Sequence, residues 1–345
     1  MDWLKRHWFL VGLVVLIPGG LLWGMTLSEA DLEAIERATG PNATTYVVAI
    51  VLFLMAFSLD SRQLAKSLRS PGPVVWGCVV NAVVTPLLAW GLMRLQLLSD
   101  FSVGLMIAAT VPCTLAAASV WTRKAGGNDA VALLVTLTTN GLCFLITPLW
   151  LNFVLSSDVQ FDVVEMMQKL LYTALIPTAL GQGLRLMPLW ERFAAAHKPV
   201  IGAVAQCCVL TVVFAAAFLQ AGPQVSRLGV ALSGPAAVAV VWASAIVIHV
   251  VAMGVAWYGG ELLGLVETDR IAVTFAGSQK TLPIGLLVAT HPEMFGDGSV
   301  PFAVFPMLMY HASQLFIDTW VADWMLLRQS VPHAEAALPR ECTRP

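Results

Sequence analysis

The sequence predicts an all-α integral membrane protein of ten transmembrane helices, arranged as two inverted five-helix repeats. Three observations carry that prediction: a composition too apolar for water, ten apolar runs of spanning length, and a proline break in the fourth run of each half. Of 345 residues, 58% are hydrophobic and only 12% charged, about half the charged share of a soluble chain. Nineteen Lys and Arg against 21 Asp and Glu cannot cover a globule of this size, and a mean hydropathy of +0.79 makes lipid the main solvent.

A helix needs about 20 apolar residues to cross the hydrocarbon. Cut at its charges, the chain yields such runs near 8–24, 44–59, 73–93, 101–121, 130–155, 164–187, 200–221, 232–260, 270–290 and 301–327. The first follows Lys5 and Arg6, as a signal peptide would, with Ala30 as a small residue for cleavage. Pro18-Gly19-Gly20 interrupts it and nine further spans follow, so an uncleaved first helix is the simpler reading. The eighth and tenth runs are long enough to tilt or break. Repeat one then covers about 8–155 and repeat two about 164–327, a single transmembrane unit over 1–327. Residues 328–345 form a short, polar, disordered cytoplasmic tail in this reading.

Orientation follows from basic residues in alternate loops. One side receives Lys5, Arg6, Arg62, Lys66, Arg69, Arg123, Lys124, Arg185, Arg192, Lys198, Arg270, Arg328, Arg340 and Arg344. The other has Arg37, Arg94, Lys169 and Arg227, a division of 14 against 4. Both termini are therefore expected in the cytoplasm, in a plasma membrane (the inner membrane of a bacterium), and ten spans satisfy the even number this requires.

Lys280 belongs to neither side. Ten residues separate it from either end of 270–290, about 15 Å of helix and beyond the reach of a lysine stem. A charge at that depth costs about 2.5 to 3.5 kcal/mol, so it should face a cavity or a partner. It stands within Gly277-Ser278-Gln279-Lys280-Thr281-Leu282-Pro283, and the fourth run carries Val111-Pro112-Cys113-Thr114. Proline removes a backbone donor and unwinds the helix, which lipid tolerates only where the freed groups meet protein or a polar cavity. Proline kinks are common in membrane helices. What points to a binding site is their coincidence, in the same run of each half, with the one mid-membrane lysine.

Other polar residues buried on this reading are Asn81, Thr136, Thr138, Thr139, Asn140, His249, His311, Gln314 and Asp318. A lone Thr or His in a span is more often a helix–helix hydrogen bond than a ligand. Asp318 is the natural candidate to neutralise Lys280 if their helices touch; otherwise it reaches water beside Asp323.

Several classes are excluded. No basic stripe is present to neutralise phosphates, so nucleic acid is not a partner. Cys78, Cys113, Cys143, Cys207, Cys208 and Cys342 show no C-x-x-C spacing or nearby His, so neither a disulfide frame nor a zinc site is expected. There is no H-E-x-x-H and no G-x-x-x-x-G-K-[ST], so no metal, no cofactor, no enzyme and no nucleotide-driven pump is expected.

The run Thr122-Arg123-Lys124-Ala125-Gly126-Gly127-Asn128-Asp129-Ala130, the Phe275-Ala276-Gly277-Ser278-Gln279-Lys280-Thr281-Leu282 crossing and Tyr310-His311 resemble the bile acid:sodium symporter superfamily, and within it the SBF-like branch. The resemblance extends from Asp60 and the Arg69-Ser70-Pro71-Gly72-Pro73 turn to the tenth run. It implies a panel domain and a core domain, with helices 4 and 9 broken and crossing. Sodium ligands of the family fall at Asn81, near Ser119, and at Thr136 and Gln279. Two positions depart: the glutamate four residues before the crossing Gln is Phe275 here, and the asparagine after that Gln is Lys280.

The expected function is a secondary transporter of a small organic anion working by alternating access. Half-helix amino termini beyond Pro112 and Pro283, with Lys280, would attract the anion. Sodium coupling is weakened by the lost carboxylate, and a buried lysine could couple to protons. The alternatives are a sodium-coupled, bile acid-like symporter and a non-transporting membrane regulator linked to ion homeostasis. The expected site comprises Asn81, Pro112, Thr114, Ser119, Thr136, Asn140, Ser278, Gln279, Lys280, Thr281, Pro283, His311 and Asp318.

Overall fold

The computed structural model describes residues 2–40, 42–60, 71–115, 117–155, 162–219, 235–290 and 301–336, and every regular element among them is helical. In chain order these are α1 (Asp2–Gly24), α2 (Glu29–Thr39), α3 (Ala43–Ser58), α4 (Pro71–Met93), α5 (Ser99–Thr110), α6 (Ala117–Lys124) and α7 (Asp129–Leu155). There follow α8 (163–185), α9 (Pro188–Ala196), α10 (Lys198–Leu219), α11 (Pro235–Leu262), α12 (Glu267–Ser278), α13 (Leu282–Thr290) and α14 (Val304–Ala336), the last preceded by a 3-10 turn at Pro301–Ala303. Among the described residues, each of the ten apolar runs contains a helix or a pair of half-helices.

Among the described residues, five helices are long and apolar enough to cross a membrane, or six if the bent pair Ala30–Thr39 and Ala43–Ser58 counts as one. Burial agrees with a lipid solvent. Val14, Tyr46, Phe153, Tyr172 and Trp320 point outward, while Asn81, Gln279, Lys280 and Asp318 lie inside. Such inversion exposes no apolar surface to water only if the outer face meets lipid. The protein is a multi-pass, all-α membrane protein.

Two sets of helices pack chiefly among themselves. One contains α1, α3, α8 and α10; the other contains α4, α5, α6, α7, α11, α12, α13 and α14. They meet where α7 lies along α8 and where α13 lies against α3 and α10. The broken span Glu267–Thr290 belongs to the second set, and its most apolar stretch is buried over its whole length. No unwound peptide in it faces lipid, as the absence of water there demands.

Two helices widen into a π-turn, α4 at Val80–Val84 and α8 at Leu171–Leu175. Each turn is followed by a residue and a proline, Thr85-Pro86 and Ile176-Pro177. Proline offers no N–H, so the ladder slips by one: Thr85 N–H donates to the Val80 carbonyl and Ile176 N–H to that of Leu171. In α4 this leaves the Asn81 carbonyl without a helical partner.

Some expectations need amendment. α2 and α9 were not foreseen. Pro18 does not interrupt α1. The last helix runs beyond Leu327 to Ala336, so 328–336 is not a disordered tail. Arg62, Lys66, Arg69, Ser70, Arg227, Arg340, Cys342 and Arg344 lie outside the described residues.

Candidate functional site

The two broken helices meet at their unwound centres. α5 ends at Thr110 and Val111 turns extended; α12 ends at Ser278 and Gln279 turns extended. Pro112 follows the first break, and Pro283 sits at the start of α13, where a missing N–H costs nothing. Across the meeting point the Thr281 N–H donates to the Pro112 carbonyl at 2.9 Å.

A buried break is stable only if its freed backbone groups find partners, and they do. On the α12 side, the Asn81 Nδ2 donates to the carbonyls of Ala276, Gly277 and Gln279, at 2.9 Å for the last. Tyr310 donates its hydroxyl to the Ser278 carbonyl at 2.9 Å. Gln314 accepts from the Lys280 N–H and donates to the Lys280 carbonyl, both at 2.9 Å, as a neighbouring strand would. On the α5 side, the Cys113 N–H donates to Thr139 and its carbonyl accepts from Asn140 at 2.8 Å. Thr147 donates to the Thr110 carbonyl. Gly277 lets α12 approach α4, since an added Cβ would stand 3.0 Å from Val80.

Lys280 occupies the centre and is fully buried. Its Nζ donates to the Asn81 carbonyl at 2.6 Å, the Val111 carbonyl at 3.0 Å and Asn81 Oδ1 at 3.3 Å. The first acceptor is the carbonyl released by the π-turn and Pro86, the second the one released by the break at Pro112. Three oxygen acceptors match the three protons of an ammonium; a neutral amine would set its lone pair against one of them.

Asp318 does not pair with Lys280, and it does not reach water. It is fully buried; Oδ1 lies 2.9 Å from His249 Nε2, and Oδ2 accepts from Gln279 Nε2 at 2.6 Å. The physical reason is that released backbone carbonyls satisfy the lysine, leaving the carboxylate to the imidazole and the crossing amide. Gln279 Oε1 accepts in turn from the Thr114 hydroxyl at 3.0 Å, joining the two breaks through side chains.

Of the expected residues, Asn81, Pro112, Thr114, Ser278, Gln279, Lys280, Thr281 and Asp318 are brought together, with Asn140 and Thr136 behind Cys113. The Asn140 Oδ1 is buried and makes no hydrogen bond. His311 touches the crossing only through Gln314, 2.8 Å away. Ser119 is not brought there: it donates to Asp129, which also pairs with Arg123 at 2.8 Å. Ser119 and Arg123 border a separate cavity of about 210 Å³ lined also by Asp60, Arg185 and Lys198. Arg185 is buried there, donating Nη1 to the Phe57 carbonyl at 2.8 Å while its Nε has no partner. Sequence reasoning passed over His249, Tyr310, Gln314 and Cys113 as ligands. Their signal was weak: His249 is a single polar residue in an apolar helix, Cys113 reads as a small hydrophobe in the break, and nothing local shows which way Tyr310 and Gln314 face. Among the described residues no cluster of three His, Cys, Asp or Glu could hold a metal.

The chain is similar over most of its length to several known proteins. Sodium/bile acid cotransporter 7 of Xenopus tropicalis is 22% identical over 342 residues, with 95% of each chain covered. Probable sodium/metabolite cotransporter BASS4, chloroplastic, of Oryza sativa subsp. indica is 26% identical over 326 residues, covering 89% of this chain and 74% of that one. The uncharacterized protein YbaS of Bacillus subtilis is 24% identical over 277 residues, 80% of this chain and 86% of its own. The profile of a transporter family, the SBF-like CPA transporter family, matches residues 7–326. A match over nearly the whole length, both broken helices included, makes the chain a member of the SBF-like CPA transporter family.

Proposed function

We propose that the protein carries a small organic anion across the membrane by alternating access, and that Lys280 supplies the cation that a sodium ion would otherwise provide at the crossing. The protein is a lipid-embedded, secondary-transporter-like relative of proteins named as sodium/bile acid and sodium/metabolite cotransporters. The observation that carries the finer reading is the Lys280 Nζ held by three neutral oxygens and no carboxylate. A hard cation bound there would have to displace it.

The anion is supported by the cavity beside Arg123, Arg185 and Lys198, where the unpartnered Nε of a buried arginine asks for an acceptor. Ten spans in two inverted repeats are supported by the matching breaks in the fourth run of each half. Panel and core are supported by the two packing sets. Cytoplasmic termini are the reading of the lysine and arginine counts, and contacts among segments assigned to that side support their lying at one end: Lys124 with Asp323 at 2.6 Å, and Asn128 with Asp269 at 2.7 Å. A second reading, sodium-coupled symport, is favoured by the relatives' names.

The test is a screen of small carboxylates and sulfonates against thermal unfolding of the purified protein, in potassium and in sodium buffers. An anion that stabilises equally in both supports the proposal. One that acts only with sodium returns the protein to sodium symport, and failure of every anion to bind or to cross proteoliposomes removes the transporter reading.

A further inference from the structure

The cavity beside Arg185 lies between the two helix sets. One wall is built by Asp60 after α3, Arg185 at the end of α8, Ala195 of α9 and Lys198 at the start of α10. The other belongs to the second set, with Arg123 of α6 and Leu133 of α7. A ligand that fills it touches both sets at once.

Arg185 is only 5% exposed, and a buried guanidinium needs acceptors for its N–H groups. Nη1 is taken by the Phe57 carbonyl at 2.8 Å, while Nε has no partner among the described residues. The Nε edge of a guanidinium carries two parallel N–H groups, the fork that a planar or tetrahedral oxyanion accepts. The carboxylates nearby do not fill that place: Asp129 is held by Arg123 and Ser119, and Asp60 has a partner of its own. Arg123, Arg185 and Lys198 stand against those two carboxylates, which leaves one positive charge in excess.

Size narrows the ligand further. The cavity holds about 210 Å³, below the roughly 300 to 1,000 Å³ of sites for drug-sized molecules and about seven times the volume share of one water. A four-ring steroid does not fit, and Leu59, Leu133 and Ala195 give the space an apolar wall. We propose that this cavity is the recognition site for a short monovalent oxyanion, a carboxylate or sulfonate on a body of few carbon atoms. Its head takes the Nε edge of Arg185, and its single charge answers the excess beside Arg123 and Lys198. The proposal rests on the transporter reading and deepens it, by naming the class of anion and the arginine that selects it. The site is separate from the crossing, and its occupant spans from Arg185 and Lys198 on one wall to Arg123 on the other.

The test titrates potassium propionate and potassium ethanesulfonate against thermal unfolding of the purified full chain in detergent, with potassium chloride at matched ionic strength as reference. Both monoanions should raise Tm saturably; succinate, with two charges, and cholate below its micellar range should not. Apparent affinity should fall about tenfold or more in Arg185→Gln, which removes the charged fork. That variant also loses the bond to Phe57, so Ala195→Leu serves as the second: it fills the cavity from an exposed position, keeps every charge, and should abolish the response. Wild-type affinity in either folded variant overturns the proposal, as does tighter binding of succinate or cholate than of propionate. So does a rise produced by phosphatidylglycerol and lost in Ala195→Leu while the free monoanions do nothing, because the place is then a lipid site. A larger or doubly charged anion that crosses proteoliposomes would overturn this proposal and leave the transporter reading standing. Propionate that binds here in the Arg185-dependent way but crosses no membrane would do the reverse.

Discussion

The Lys280 Nζ is held by two carbonyls that helices would normally consume, one freed by Pro86 and the other by Pro112. Lys280→Met strands both inside the protein, and each buried unpaired acceptor costs about 1 to 3 kcal/mol. The variant should therefore lose about 2 to 6 kcal/mol of stability, read by denaturation in detergent; a loss below about 1 kcal/mol would mean the oxygens find other partners. Tyr310→Phe should cost only about 1 kcal/mol, since it removes a single hydrogen bond, the one to the Ser278 carbonyl. At this scale the sequence announced that Lys280 needs a partner, and misjudged which. Asp318 was the one carboxylate within reach of a side-chain pairing rule, but a broken helix also offers backbone oxygen, and no sequence rule counts it. His249 was expected to be buried but was not placed in the site, because a single histidine in an apolar run says nothing about which helix it faces.

The helices themselves were legible to a larger degree, because apolar length and proline are local properties. Both breaks fall where Pro112 and Pro283 placed them. The π-turn at Val80–Val84 went unread although Thr85-Pro86 signals it, and α2 and α9 were missed because a search for spanning runs skips short amphipathic helices. Close approach between elements gives a separate test. A Cβ at Gly104 of α5 would run into the backbone carbonyl of Ala303 ahead of α14, whereas one at Gly141 of α7 meets open space. Gly104→Ala should destabilise by about 1 to 3 kcal/mol. Gly141→Ala should be neutral or stabilising by up to about 1 kcal/mol. Thermal melts of the pair compare them directly, and equal effects would contradict the packing of α5 on the turn at Pro301–Ala303.

For the whole molecule, the crossing lies inside the second helix set, where protein rather than lipid surrounds the unwound backbone. Lysine and arginine counts give an expected alternation of loops. Which helices pack together was not readable, since apolar faces toward lipid and toward protein have the same composition. The central claim is that the cation at the crossing belongs to the chain. It is tested most directly by thermal unfolding of wild type in sodium or potassium chloride at matched ionic strength. A ligand that binds only the folded state adds about 2.7 kcal/mol at a hundredfold excess over Kd. We predict identical stability in the two salts, whereas a sodium-specific rise that persists in Lys280→Met would show that the lysine does not stand in for the ion.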